Sequence, residues 1–189
     1  MGQQRSLLAV SVIEKMYHDC KHDECDEVFK LEKLSDHEKV CKHRTVSCPS
    51  ETCDKKLALS KLLDHLKSSR TCSVSENIHI MNEKAKNKSF RNLVKTNCRV
   101  LVCSQKGVNF ALRVKKSGDF YNINIVMFET EEECSKYMIE MEVFRNDSPP
   151  ASRHSVKFRG NPSSIDKTKE EIKNVGLLVP LHEYHFQIR

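Results

Sequence analysis

Six of the chain's nine cysteines fall between residues 20 and 72, together with two histidines, in a pattern that occurs twice. Cys20-x4-Cys25-x11-His37-x3-Cys41 is followed, after six residues, by Cys48-x4-Cys53-x11-His65-x6-Cys72. The first three members of each set superpose without a gap, Cys20 on Cys48, Cys25 on Cys53 and His37 on His65. Sulfur and imidazole nitrogen at this spacing are what a tetrahedral zinc ion takes, and the ion's binding free energy then appears as folding free energy.

Two cysteines five apart can point into one tight turn, and a helix can supply the other pair. His37 and Cys41 are four apart, which puts them on one helical face a turn apart. Ser35 followed by Glu38 reads as a capping box that starts this helix, and Ser60 as the N-cap of the second. There Leu62, Leu63 and Leu66 are placed to pack. Cys72, seven past His65, keeps the helical face if the helix runs two turns further; otherwise it arrives from the following loop. His18 and His22 flank Cys20, and His43 follows Cys41, so they compete for the fourth position. Buried thiols or disulfides are the other reading of such cysteines. Against disulfides stand the odd cysteine count, the lack of a secretory leader and the equivalent histidines. Each ion is expected to hold its own small unit, leaving the rest of the chain independent of it.

At 189 residues the chain has room for a small metal-stapled domain and one of medium size. Boundaries are expected at 1–17 for a helical lead-in, 18–73 for the dual finger and 74–189 for a strand-rich domain. Residues 20–72 carry 11 Lys and Arg against 10 Asp and Glu; residues 73–99 carry 6 against 2; residues 100–189 carry 13 against 12. The net charge of +6 is therefore concentrated in one segment, a basic loop over 82–97, rather than on the fingers. No apolar run approaches a membrane span. Met1-Gly2 with Ser6 matches an N-myristoylation motif, one that short sequences often match by chance. RSLLAVSVIEKM reads as a short amphipathic helix with Leu7, Leu8, Val12 and Ile13 able to face one way.

Beyond Cys72 the apolar period changes to two. Ile78 and Ile80 suit a short strand, Val100 to Cys103 another. Val108, Phe110, Leu112 and Val114 alternate with polar neighbours up to Ser117-Gly118-Asp119, and Tyr121, Ile123, Ile125 and Met127 alternate after it, which predicts a hairpin. Thr130 to Lys136 suits a helical turn. Ile139 to Val143, Ser155 to Arg159, Leu177 to Val179 and His185 to Ile188 complete seven or eight short strands, the count of an antiparallel β-sandwich. Cys98, Cys103 and Cys134 have no ligand-like companions and are expected in the core. His182 and His185 do not by themselves make a metal site.

The two fingers, the stretch DHEKVCKHRTVSCPSETC that joins them and the downstream strands resemble the seven-in-absentia family of ubiquitin ligases. HSVKFRGNPSSID is similar to that family's strand and loop before its last helix, and EIKNVGLLVPL to the strand after that helix. The resemblance implies zinc-stapled α/β fingers followed by an all-β antiparallel TRAF-like sandwich. It implies two structural zinc ions on Cys20, Cys25, His37, Cys41, Cys48, Cys53, His65 and Cys72, and a dimer formed through the sandwich. In the family a RING domain precedes the fingers. No cysteine occurs before Cys20, so this chain reads as a RING-less member or a fragment, and RSLLAVSVIEKM is similar to the segment that comes after a RING. The C-terminus is shorter than the family's and its tryptophan is missing, so no peptide-groove residue is carried over.

The expected function is a protein-binding, substrate-recognition or adaptor module that takes a protein or degron peptide, or a RING-bearing relative, and is not an autonomous enzyme. Nucleic-acid binding is the alternative, because the spacing lies close to that of DNA-reading fingers. Near-neutral fingers with Asp36, Glu38 and Asp64 at their helix starts speak against it, and the basic loop speaks for it. Catalysis by zinc is disfavoured, since four protein ligands close a site, and no nucleophile elbow or phosphate loop is present. Reduced thiols and zinc place the chain inside the cell, in cytoplasm or nucleus.

Overall fold

The computed structural model of the protein describes residues 16–69, 72–75, 98–105, 107–144, 155–173 and 175–180. The N-terminal amphipathic stretch, the strand at Ile78 and Ile80, the basic loop over 82–97 and the strand at His185 to Ile188 lie outside them.

The repeat in the sequence is a repeat in structure. β1 (Tyr17–Asp19), β2 (Val28–Lys30) and helix α1 (Leu31–Val40) form the first unit; β3 (Thr45–Ser47), β4 (Lys56–Ala58) and α2 (Leu59–Ser68) form the second. Each element of the second begins as far after its counterpart as Cys48 stands after Cys20. The registers agree too, Tyr17 opposite Lys30 and Thr45 opposite Ala58.

Both helices begin earlier than their capping residues suggested. α1 starts straight from β2 with Lys30 at its N-cap and no side-chain cap, so Ser35 is mid-helix and forms no capping box. α2 likewise starts after Ala58. Its first amides are satisfied from elsewhere: Leu59 N–H donates to the Arg44 carbonyl at 3.0 Å and Ser60 N–H to that of Lys42 at 2.8 Å. The joint between the fingers thus does what a capping side chain does at an ordinary helix start, and Ser60 is not needed there.

The remaining strands are β5 (Cys72–Ser75), β6 (Cys98–Gln105), β7 (Val108–Ser117), β8 (Phe120–Met127), β9 (Ile139–Phe144), β10 (Ser155–Gly160), β11 (Ser163–Ser164) and β12 (Leu177–Pro180), with short helices α3 (Glu131–Ser135) and α4 (Lys169–Lys173) between them. Ser117 pairs with Phe120 across a two-residue turn in which Gly118 has φ +57°. A glycine first in such a turn matches the twist of the flanking strands. β5, β6, β7 and β8 lie side by side, and the outer edge of β8 is shared by β12, antiparallel, and β11. β9 and β10 form a separate two-stranded ribbon.

Two pairings are parallel, β5 with β6 and β11 with β8, where the strand pattern suggested antiparallel pairing throughout. Parallel neighbours need a long connection, and the residues between Ser75 and Cys98 give β5 and β6 one. The boundary expected after residue 73 falls within β5.

Alternation along the strands gives the six-stranded sheet two apolar faces. Leu101, Leu112, Val114 and Ile123 face the β9–β10 ribbon, meeting Met141, Val156 and Phe158. Val100, Val102, Ala111 and Val126 face the other way and meet Val46, Leu62 and Leu66 of the second finger. Leu62 and Leu66 are fully buried there, and burial of each such side chain stabilises the fold by about 1.5–3 kcal/mol. α1, by contrast, contributes no buried residue.

Candidate metal centres

The first cluster is assembled by the β1–β2 connection and the end of α1. Cys20 follows β1, with its N–H bonded to the Glu27 carbonyl at 3.1 Å, and Cys25 is returned toward it by a turn in which its N–H reaches the His22 carbonyl at 3.2 Å. Glu24 adopts φ +66° inside that turn. His37 comes from the last turn of α1 and Cys41 from its C-cap, where the backbone has already left helical geometry. One ligand atom from each of these four residues lies within 4.8 Å of the others.

The second cluster repeats this construction. Cys48 N–H bonds the Lys55 carbonyl at 2.9 Å and Cys53 N–H the Ser50 carbonyl at 3.2 Å, the same two bonds at the equivalent positions of the repeat. Cys48, Cys53 and His65 are brought within 4.8 Å of one another. The position equivalent to Cys41 is Ser69, which cannot serve as a thiolate. α2 ends at Ser68, and Cys72 opens β5, so of the two routes open to Cys72 the non-helical one is taken. The Cys72 side chain lies outside the described ones.

The separations can be compared with what an ion would impose. For zinc-like bond lengths a tetrahedron has S···S edges of about 3.8 Å and S···N edges of about 3.5 Å. Cys20 Sγ and Cys41 Sγ are 3.9 Å apart, Cys25 Sγ and His37 Nε2 3.5 Å, and Cys53 Sγ and His65 Nε2 3.4 Å. The residues present therefore fit a tetrahedral ion of this class.

The surroundings of the donors support the same use. Nδ1 of His37 lies 3.3 Å from a Glu27 carboxylate oxygen, which orients the ring and leaves Nε2 for the cluster. The ring of Phe29 stacks on His37 with centroids 4.3 Å apart. Burial pushes the Cys41 thiol up to about 11; the His43 amide opposes this and the Cys25 and Cys20 sulfurs add to it. Without a cation, then, the Cys41 thiol holds its proton; a metal ion supplies the charge that displaces it.

The competing histidines do not join either group. His22 Nε2 is instead 3.1 Å from the Glu38 carbonyl. Cys103 and Cys134 are buried singly, and burial pushes both thiols up to about 11. The Cys98 side chain, His182 and His185 lie outside what is described.

Two contributors were not read from the sequence. Glu27 was unremarked, although its place two residues past Cys25 puts it next to the histidine once the ribbon forms. Glu51, between Cys48 and Cys53, accepts hydrogen bonds from Arg113 and, at 2.9 Å, from Lys115 of β7. Burial opposes the ionisation of Glu51, but the Lys115 hydrogen bond and the charges of Arg113 and Lys115 outweigh it and hold the carboxyl below the usual range. No signal in the local sequence announces a partner 62 residues away.

Among the described residues no helix is long and apolar enough to cross a membrane. No protein-family model matches the chain, and no curated protein matches it.

Proposed function

We propose that this chain is a protein-binding adaptor or substrate-recognition module of the seven-in-absentia type, held by two structural zinc ions. In this reading Cys20, Cys25, His37 and Cys41 hold one ion and Cys48, Cys53, His65 and Cys72 the other. Zinc is preferred over other ions because mixed thiolate and imidazole donors at tetrahedral spacing suit it. The strand-rich part is the TRAF-like portion, and it binds an extended peptide or a RING-bearing relative, or dimerises, through a sheet edge. Its compartment is a reducing one, cytoplasm or nucleus, in keeping with the described cysteines, which form no disulfides.

The observation that carries this reading is the burial of Leu62 and Leu66 between the second finger and the sheet. A finger that reads nucleic acid hangs on a linker with its helix free to enter a groove. Here α2 is committed to a scaffold. Cations of the fingers are also engaged by carboxylates: Lys21 with Glu38, Lys39 with Asp36 and Lys61 with Glu24. Phosphate binding would have to break such pairs.

The test is a ubiquitination assay on the purified chain alone and with a RING-bearing relative, alongside metal analysis and binding to a nucleic-acid duplex over a range of salt. Two zinc ions per chain, no activity alone, and a stable complex with the relative that changes its activity are the expected results. Tight duplex binding that weakens steeply with salt, with no such complex, would replace the adaptor reading by the nucleic-acid one.

A further inference from the structure

The two clusters share a donor geometry and differ in what surrounds them. Around the first, α1 buries nothing, and Glu24 of the Cys20–Cys25 turn pairs with Lys61 of the neighbouring finger, both side chains more than half exposed. Its tie toward the sheet runs through the Cys41 backbone carbonyl, which accepts from Arg44, and not through a donor side chain. Around the second, Cys48 is itself 1% exposed and belongs to the apolar cluster that contains Leu62, Leu66, Val102 and Val126. Glu51, in the middle of the Cys48–Cys53 turn, pairs with Arg113, whose side chain is 3% exposed on the sheet. Lys169 of α4 donates to the Cys53 carbonyl at 2.8 Å and to Asp54 at 2.9 Å. Cys72, the expected fourth donor, is the first residue of β5 and stands opposite Val100 in the sheet.

We propose that the ion at the second centre is a folding ligand of the whole six-stranded sheet, whereas the ion at the first holds chiefly its own finger. The proposal rests on reading both clusters as metal centres. Opening the Cys48–Cys53 turn breaks the ion pair of Glu51 with a buried guanidinium, and breaking a buried pair is costly. It also frees α2, and with it the apolar cover over Val100, Val102 and Val126. Metal that binds only the closed arrangement stabilises that arrangement in proportion to its occupancy. The coupling is reciprocal, so a partner that holds the sheet in its folded form tightens metal at the second centre and leaves the first unaffected. Zinc occupancy of one finger then regulates what the sheet can bind.

The experiment measures metal content and backbone amide exchange together, on the full chain. Cys25→Ser is expected to retain one ion and keep the exchange of β6, β7 and β8 within about twofold of the parent, since distant, independent units do not couple. Cys53→Ser is expected to speed exchange in the same strands by about a hundredfold or more, the factor that corresponds to losing a ligand present at a hundred times its dissociation constant. Failure of Cys53→Ser to fold, with Cys25→Ser folded, is the same result at its limit. Glu51→Gln keeps every donor and reads the coupling in a folded chain: affinity at the second centre falls about tenfold and at the first does not change. Sheet protection that survives loss of the second ion, that falls equally with loss of the first, or second-centre affinity indifferent to Glu51→Gln overturns the proposal. A chain that binds no metal overturns instead the reading on which it rests.

Discussion

Arg44, in the joint between the two fingers, donates from Nε to Oδ1 of Asp166 at 3.0 Å, across 122 residues of sequence. Its side chain is 7% exposed, that of Asp166 37%, and a further N–H of Arg44 reaches the Cys41 carbonyl at 3.2 Å. One guanidinium therefore ties together the end of the first centre, the joint and the loop after β11.

Asp166→Ala should destabilise the chain by about 1–3 kcal/mol in denaturant unfolding, because it strands a buried cation. Adding Arg44→Met to it should recover part of that loss, since the unpaired charge is then gone. A double variant less stable than the single one would show that Arg44 acts through its other contacts.

The fingers offer an internal control for packing. Leu62 and Leu34 occupy equivalent positions in α2 and α1, but only Leu62 is fully buried. Leu62→Ala should cost about 2–5 kcal/mol of stability. Leu34→Ala should cost less than about 1 kcal/mol, because it opens no cavity in the sheet core. Equal losses in thermal or denaturant unfolding would mean that the first finger is docked as firmly as the second.

Glu27 beside His37 makes a testable contribution to metal binding. Removing a carboxylate that orients a ligating histidine weakens metal binding by roughly 10–100-fold. Glu27 is 60% exposed, so Glu27→Ala should fall at the lower end, about tenfold, when the chain competes with a chromophoric chelator. The second centre should be unaffected.

The buried thiols set an upper pH limit. Cys103 and Cys134 are raised from 9.0 to about 11 by burial, with Asp166 and Glu129 adding to the shift at Cys134. A folded-state value above the unfolded one means that the neutral thiol favours the folded state. That contribution is complete below pH 9.0 and is lost as pH rises through about 11. Unfolding midpoints should decline over this window, less so in Cys103→Ala. Both thiols should resist alkylation at neutral pH in the folded chain, and rapid labelling there would contradict their burial.

Gly176 permits the approach of β12 to β8. It adopts φ +143°, and a Cβ at this position would lie 2.4 Å from the Ile123 carbonyl oxygen. Gly176→Ala should therefore cost about 2 kcal/mol or more, combining backbone strain with a clash that only movement of β12 relieves. Faster amide exchange confined at first to Leu177–Pro180 would be its signature.

Much of this architecture could be read from the chain. Metal chemistry demands a donor at each of a few positions, and such a demand survives in spacing: the recurrence of Cys20, Cys25 and His37 as Cys48, Cys53 and His65 is the recurrence of ribbon, turn and helix. The β7–β8 hairpin was legible for a similar reason, since period two and Gly118 are both local. The helix starts were misread because Ser35 and Ser60 carry the right chemistry in the wrong place; α1 comes directly out of β2, and carbonyls of Lys42 and Arg44 satisfy α2. Parallel pairing of β5 with β6 leaves no trace in either strand, as period two is the same for both directions.

The sequence by itself determined the set of donors Cys20, Cys25, His37, Cys41, Cys48, Cys53 and His65 that the fold gathers into two clusters, and the strand character of the residues beyond them. Only the tertiary structure decided that α2 covers one face of the sheet while α1 covers none, and that Glu51 meets Arg113. The physical reason is range. Ligand spacing, turns and periodicity are properties of neighbours in the chain, whereas which apolar face meets which, and which buried cation finds a carboxylate, is settled by contacts between segments that only folding brings together.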